Sequence, residues 1–341
     1  MKKLTIILGL FLMTLTVQSQ PKVRTVDNRA NSGADYTTLT AAIAASIPGD
    51  TLHIHPSPTT YGNLTTTKRL IIVGISHNPA NAKVGFAATV GNVTFQGNSG
   101  NSLITGLRYN NISTSSSTDC NGIRIINNWG VNITGASSNA DNWIIEGNII
   151  LGNINSNNSD GWIIKNNIMN RATWVITNFN NTISFLNNIV INSGDNFALS
   201  CVDPIVNNNI FILTGAADLV GLSGSTIVFN NNLTYSPNFN PIPALSGSDN
   251  LDETNPGFSF AFVDIADYYN NDYNVSGSGP PTGPVGAGTD GTDLGVFGAL
   301  FTFDVQGRPD DFPYMTTLDI SNSSIPMGQN IDVTFTAQKK N

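Results

Sequence analysis

Three groups of side chains in the 341-residue chain could do chemistry. The first is Arg124, Glu146 and Lys165. A carboxylate flanked by cations could grip a polysaccharide or serve a lyase, where a Lys or Arg removes the proton beside a sugar carboxylate. A surface ion pair worth at most about 1 kcal/mol is the plainer account. The second is His53 and His55, which flank Ile54 so that both rings leave one face of a strand. They could begin a metal site, although no acidic or Cys residue lies close in sequence. The third is Asp290 and Asp293, whose carboxylates could bind Ca²⁺ or brace a turn. Tyr61, Tyr268, Tyr269 and Tyr273, where exposed, could stack on sugar rings. Asn-x-Ser/Thr triplets at Asn63, Asn92, Asn132 and Asn232 are expected by chance in a chain so rich in Asn and Thr.

The elements that must position these groups follow from composition and periodicity. Only 11% of residues are charged and the formal net charge is −8. That balance argues against a nucleic-acid partner, which is bound by neutralising phosphates with Lys and Arg. Solubility rests instead on 47 asparagines, with 32 Gly and many Ser and Thr. Such residues disfavour long helices and favour strands and turns. At the N-terminus, Lys2 and Lys3 precede an apolar run from Leu4 to Val17, and Val17 and Ser19 suit a cut before Gln20. This is the layout of a secretory signal peptide, too short for the roughly 20 residues of a membrane span. No later stretch replaces it, so the expectation is a secreted protein, extracellular, on the cell surface or in the periplasm, with no transmembrane segment after cleavage.

An internal repeat sets the fold. Aligning on an Asn followed by a large apolar residue gives Asn111-Ile112, Asn128-Trp129, Asn148-Ile149, Asn167-Ile168, Asn188-Ile189, Asn209-Ile210 and Asn232-Leu233. With the Asn as position 0, positions −5, −3 and +1 are apolar almost throughout. Strand side chains alternate, so these columns are expected to share the interior. Positions −4 and −2 then point outward, placing Glu146 and Lys165 on consecutive rungs about 5 Å apart, with Arg124 on the rung before. Ile144, Ile163, Ile205 and Val228 form an outward apolar stripe beside them, expected under a loop or partner. The recurring Asn suits a corner needing left-handed backbone angles, and stacked amides can bond along the ladder.

These repeats resemble the right-handed parallel β-helix proteins of the pectate-lyase-like superfamily, where such an asparagine ladder lines one turn. The resemblance extends to Asp35-Tyr36-Thr37-Thr38-Leu39, the apolar run Ala41 to Ala45 and Pro48 to Ile54, which look like a short capping helix and first strand. Thr38 or Thr40 could cap that helix. The segment Gly286 to Gly295 resembles a closing segment of secreted bacterial β-helix proteins. The expected class is all-β, a right-handed parallel β-helix solenoid with an N-terminal capping helix and a C-terminal strand cap. Its parts are a signal peptide over 1–19, the β-helix over 20–300 and a cap or tail over 301–341, where Leu318, Ile320, Ile331, Val333 and Phe335 alternate as a strand pair.

The resemblance implies a fold that hosts polyuronate lyases, glycoside hydrolases with paired carboxylates and carbohydrate esterases. No stretch reproduces those motifs, and whether the chain is an enzyme stays open. The leading expectation is association with extracellular polysaccharide without catalysis. A polysaccharide lyase or other carbohydrate-active enzyme of that superfamily, with Arg124, Glu146 and Lys165 as catalytic candidates, is the first alternative, and a surface adhesin or structural protein the second; Asp290 and Asp293 are the candidates for a Ca²⁺ site. Cys120 and Cys201 fall at the same position of units four rungs apart, roughly 19 Å, beyond the reach of a disulfide at about 7 Å. They are expected to be free, buried thiols.

Overall fold

The computed structural model describes residues 20–338 apart from 83–84, 116–118, 137–138, 193–195, 216–226, 240, 259–263, 311–312, 321–327, 329–330 and 332. The signal-peptide expectation lies outside the described residues. The chain forms a parallel β-solenoid of about 8 turns. Its first sheet has ten strands, from Val23–Val26 to Phe229–Asn230; the second has seven, from Leu64–Lys68 to Ala198–Leu199; and the third has six, from Trp129–Gly130 to Leu233–Tyr235. From the coil of Trp129–Gly130 onward the chain passes from first sheet to third to second, whereas the earlier coils go from first to second with no third-sheet strand between. Pairing within all three is parallel, in register as in Ile145↔Ile125 and Ile145↔Ile164, with a shift between Thr66 and Lys68 in the second sheet.

Strand alternation carries positions −5 and −3 into the core, where Trp143, Trp162, Ile145, Ile164 and Phe185 are fully buried. The Trp143 and Trp162 rings stack at 4.8 Å. The helix Leu39–Ala45 closes the first coil by burying Leu39 and Ala42. Thr38 caps it, its hydroxyl accepting from the Ala41 N–H at 3.2 Å, and the Lys68 ammonium donates to the carbonyls of Ile43, Ala44 and Ser46 at the other end. A cation suits those unpaired carbonyls. The strand Val23–Val26 ahead of the helix was not evident from sequence.

The corner between the first and third sheets divides its work between two residues. Left-handed backbone angles fall at position −1, on Asn127, Gly147, Asn166, Asn187, Asn208 and Asn231, with φ between 53° and 68°. The buried ladder falls at position 0. The Asn167 Oδ1 accepts from the Asn148 backbone N–H at 2.9 Å and from Asn148 Nδ2 at 3.0 Å, and the pattern recurs from Asn128 to Asn232. The expectation that one Asn does both is therefore corrected. Turning the chain needs a particular φ, whereas satisfying buried carbonyls needs an inward amide, and adjacent residues supply them. Asn111 is also corrected: it stands in the second sheet opposite Asn132. In its coil Leu107 takes the ladder position, donating its N–H to Asn128 Oδ1 at 3.1 Å.

The corner also resets the alternation, so position +1 faces away from the coil. Trp129, Ile149, Ile168, Ile189, Ile210 and Leu233 are nevertheless buried, in a second apolar cluster with Phe258, Tyr268, Tyr273, Leu294, Val296 and Phe303. After the last coil strand the chain returns along the outside as a strap. Position −1 side chains pin it: Asn231 donates to the Ala287 carbonyl, Asn208 to Thr289 Oγ1, Asn166 to the carbonyls of Val296 and Gly298, and Asn127 to the Arg308 carbonyl. As the strap residue number rises, the coil residue number falls, so the strap runs antiparallel to the solenoid axis. Gly295, at φ 81°, lets it approach, since a Cβ there would lie 2.8 Å from Ile210 Cδ1. The strands Tyr314–Ile320 and Val333–Gln338 follow as an antiparallel pair.

Candidate functional site

On the first sheet's outer face, Lys165 Nζ lies 2.9 Å from Glu146 Oε1, with the Lys side chain 35% exposed and the Glu side chain 14%. The structure thus brings these two together as their rung positions require. Arg124 is opposite Ile144 rather than Glu146, two residues along the strand register, and makes no ion pair among the described residues. Hydrolysis of a glycoside by paired acids needs a second carboxylate across the bond, and here Glu146 faces an ammonium. The apolar stripe beside them is open: Ile163, Ile205 and Val228 are 38%, 46% and 52% exposed. The returning chain covers the third sheet instead, because that is where position +1 projects its larger apolar column.

Asp290 and Asp293 brace the strap. Asp290 Oδ1 accepts from the Thr292 N–H at 3.0 Å and its hydroxyl at 2.6 Å, and Asp293 Oδ1 accepts from the Gly286 N–H at 2.8 Å. The Thr292 hydroxyl, above all, holds the Asp290 pKa below the usual carboxylate range. Among the described residues no three His, Cys, Asp or Glu side chains converge as a metal set. His53 and His55 do sit together, rings 4.9 Å apart, and desolvation pushes the His53 pKa down to about 4. An acidic neighbour missed in sequence arrives from the preceding strand, with Asp27 Oδ2 3.3 Å from His55 Nδ1. Asp27 also binds Arg29 side-on, and that contact chiefly lowers its pKa to about 2.

The tyrosine expectation is corrected. Tyr268 and Tyr273, which belong to the strap, are buried in the second apolar cluster, and Tyr269 is partly buried. Tyr269 joins a junction where the strap meets the early coils. Its hydroxyl lies 3.1 Å from His77 Nδ1 and accepts from Arg108 at 3.1 Å, while the Arg108 guanidinium lies over the Trp129 ring at 5.5 Å. Complete burial, helped by the Arg108 charge, pushes the His77 pKa down to about 3. This junction is packed rather than open. Tyr61 spends its hydroxyl on the His55 carbonyl at 2.7 Å.

The second sheet carries a feature that sequence reading dismissed as chance. In the triplets Asn63-Leu64-Thr65, Asn92-Val93-Thr94, Asn111-Ile112-Ser113 and Asn132-Ile133-Thr134, the central residue is fully buried and its neighbours point outward. The triplets pair in register, so they stack into two outward columns, one of amides and one of hydroxyls, repeating at the strand spacing of about 4.8 Å. Asn153-Ile154-Asn155 extends them. The amides bond along the column, Asn111 Nδ2 to Asn92 Oδ1 at 2.8 Å and Asn132 Nδ2 to Asn111 Oδ1 at 2.7 Å. The hydroxyls of Thr65, Thr94, Ser113 and Thr134 make no hydrogen bond among the described residues. The charged residue at the edge of this face, Lys68, is committed to the capping helix. The signal was the shared phase of the triplets relative to the ladder, visible once the second sheet's register is known. The buried triplet at Asn232 belongs to the other ladder. No protein-family model, curated protein or solved structure matches the chain.

Proposed function

We propose that this protein is secreted and associates with an extracellular polysaccharide, without catalysis, along the outer face of the second sheet. One observation carries the reading: a flat, uncharged double column of amides and solvent-facing hydroxyls repeating once per rung. A glycan chain is itself a repeat of hydroxyls, and a rigid array meets it with little ordering cost. The net charge of −8 disfavours polyuronates, which it would repel, and favours neutral glycans. The buried Asn ladder and the three-sheet coil support membership of the pectate-lyase-like superfamily with right-handed winding. The Lys-Lys-apolar leader supports cleavage between Ser19 and Gln20.

The test is incubation of the secreted protein with a polysaccharide panel, with and without Ca²⁺. Retention on at least one neutral glycan is expected, with no unsaturated product in the ultraviolet and a mature N-terminus at Gln20. Glu146→Ala is expected to leave retention unchanged. Product formation that vanishes in Glu146→Ala at unaltered melting temperature would replace this reading with a lyase.

A further inference from the structure

Four tryptophans are present, and three are buried: Trp143 and Trp162 completely, Trp129 to 6% exposure. Trp174 is 42% exposed and has a left-handed backbone, φ 52°. A side chain branching into a ring gains nothing from that conformation, which in this chain is taken mostly by Asn and Gly. The backbone holds it there from both sides: the Trp174 N–H donates to the Asn196 carbonyl at 2.6 Å, and its carbonyl accepts from Asn153 Nδ2 at 2.7 Å. A strained residue kept by its surroundings, with its large apolar side chain left in water, marks a site where the side chain serves something other than the fold.

Its position says what. Ile154 pairs with Ile176, so buried Val175 takes the rung after Asn153 in the amide column that runs Asn63, Asn92, Asn111, Asn132, Asn153, and Trp174 stands one residue beside it, one rung beyond Gly152, with its carbonyl bonded to Asn153. Gly152 carries no side chain and admits none, since a Cβ would lie 2.3 Å from Asn132 Oδ1. The position one rung before Trp174 in its own column is therefore bare. An indole presents a flat apolar face with one polar edge, the complement of the C–H face of a pyranose ring, and binding sites combine such a surface with a few placed polar groups. We infer that Trp174 is the stacking platform of the glycan track: the C–H face of one sugar lies on its indole while the following sugars run down the amide and hydroxyl columns toward Asn63. The ligand is an extended, neutral glycan lying along the solenoid axis. This rests on the polysaccharide reading above.

The test uses the mature chain with three soluble neutral probes, a β-1,3-glucan, a mixed-linkage β-glucan and a galactomannan, with polygalacturonate alongside. Trp174 is the exposed indole, so acrylamide quenching of intrinsic fluorescence reports on it. Expected are retardation in a gel containing at least one neutral probe, protection from quenching by that probe, and at least a tenfold loss of affinity in Trp174→Asn. Trp174→Phe is expected to recover part of the loss. Asn suits this backbone, so Trp174→Asn is expected to melt no lower than the native protein; a lower melting point would mark Trp174 as a structural residue and overturn the inference. Native-like retardation of Trp174→Asn, or retention without protection from quenching, would overturn it while leaving glycan association standing. Binding to polygalacturonate alone would overturn the neutral-ligand assignment. Failure of all four probes to bind would remove the polysaccharide reading itself, and this inference with it.

Discussion

Replacing Asn167 by Ala removes the middle of the buried ladder, and the cost can be worked from its bonds. Its Oδ1 accepts from the Asn148 N–H and Nδ2, and its Nδ2 donates to the carbonyls of Ile145 and Lys165 at 2.9 and 2.8 Å and to Asn188 Oδ1 at 3.0 Å. Asn148 Nδ2 keeps the carbonyls of Ile125 and Glu146, so its loss is mild. The Asn148 N–H has no second partner in the ladder, and water has no access, since Asn148 and Asn167 are both fully buried. One orphaned donor costs about 1–3 kcal/mol, and the remaining bonds contribute about 1 kcal/mol each before non-additivity. The expected loss is about 4 kcal/mol, large for a single substitution. Asn167→Asp should cost more, because a carboxylate cannot donate and would face two carbonyls. Asn111→Ala breaks the corresponding bonds of the outer ladder, where water replaces them, and should cost about 0.5 kcal/mol. Urea titrations compared at constant m-value measure both. A loss below about 1 kcal/mol for Asn167→Ala, or equality with Asn111→Ala, would refute the argument that burial of the amide stack holds the corner together.

Gly295→Val should loosen the strap, because the added Cβ meets Ile210 and the backbone sits at φ 81°; faster proteolysis after residue 258 with the coil intact is the expected readout. His77 has a depressed pKa in the folded state, about 3 against roughly 6.5 unfolded. Its contribution is therefore complete above pH 6.5 and lost as pH falls toward 3, and His77→Gln should flatten the decline in melting temperature over that window, leaving the parts due to His53 and, toward its acid end, to lowered carboxylates such as Asp27. Cys120 and Cys201 are free and buried, and burial pushes the Cys201 thiol up to about 11. Both should resist thiol reagents at pH 8 in the native protein and titrate as two thiols once unfolded without reductant; a mass two units below the reduced form would contradict the register.

The sequence by itself determined the coil. A period near 20 with apolar residues at positions −5 and −3 leaves the backbone few ways to bury those columns, so parallel stacking, the register of Glu146 on Lys165, and two free, buried cysteines followed from local pattern and strand spacing alone. What it could not decide depended on where the chain turns. Sequence alternation continues through a corner while the side-chain direction does not, so the +1 column read as interior although it lies outside, and only the return of the Gly-rich strap from residues remote in sequence buries it. The same remoteness hid the Asp27 contact with His55 and the burial of Tyr268. The outer Asn and Thr columns were written in the sequence as four separate triplets. Their meaning as one surface, with Trp174 beside its last amide, came from tertiary stacking, because adjacency between rungs arises from the pitch of the whole coil rather than from any residue within a triplet.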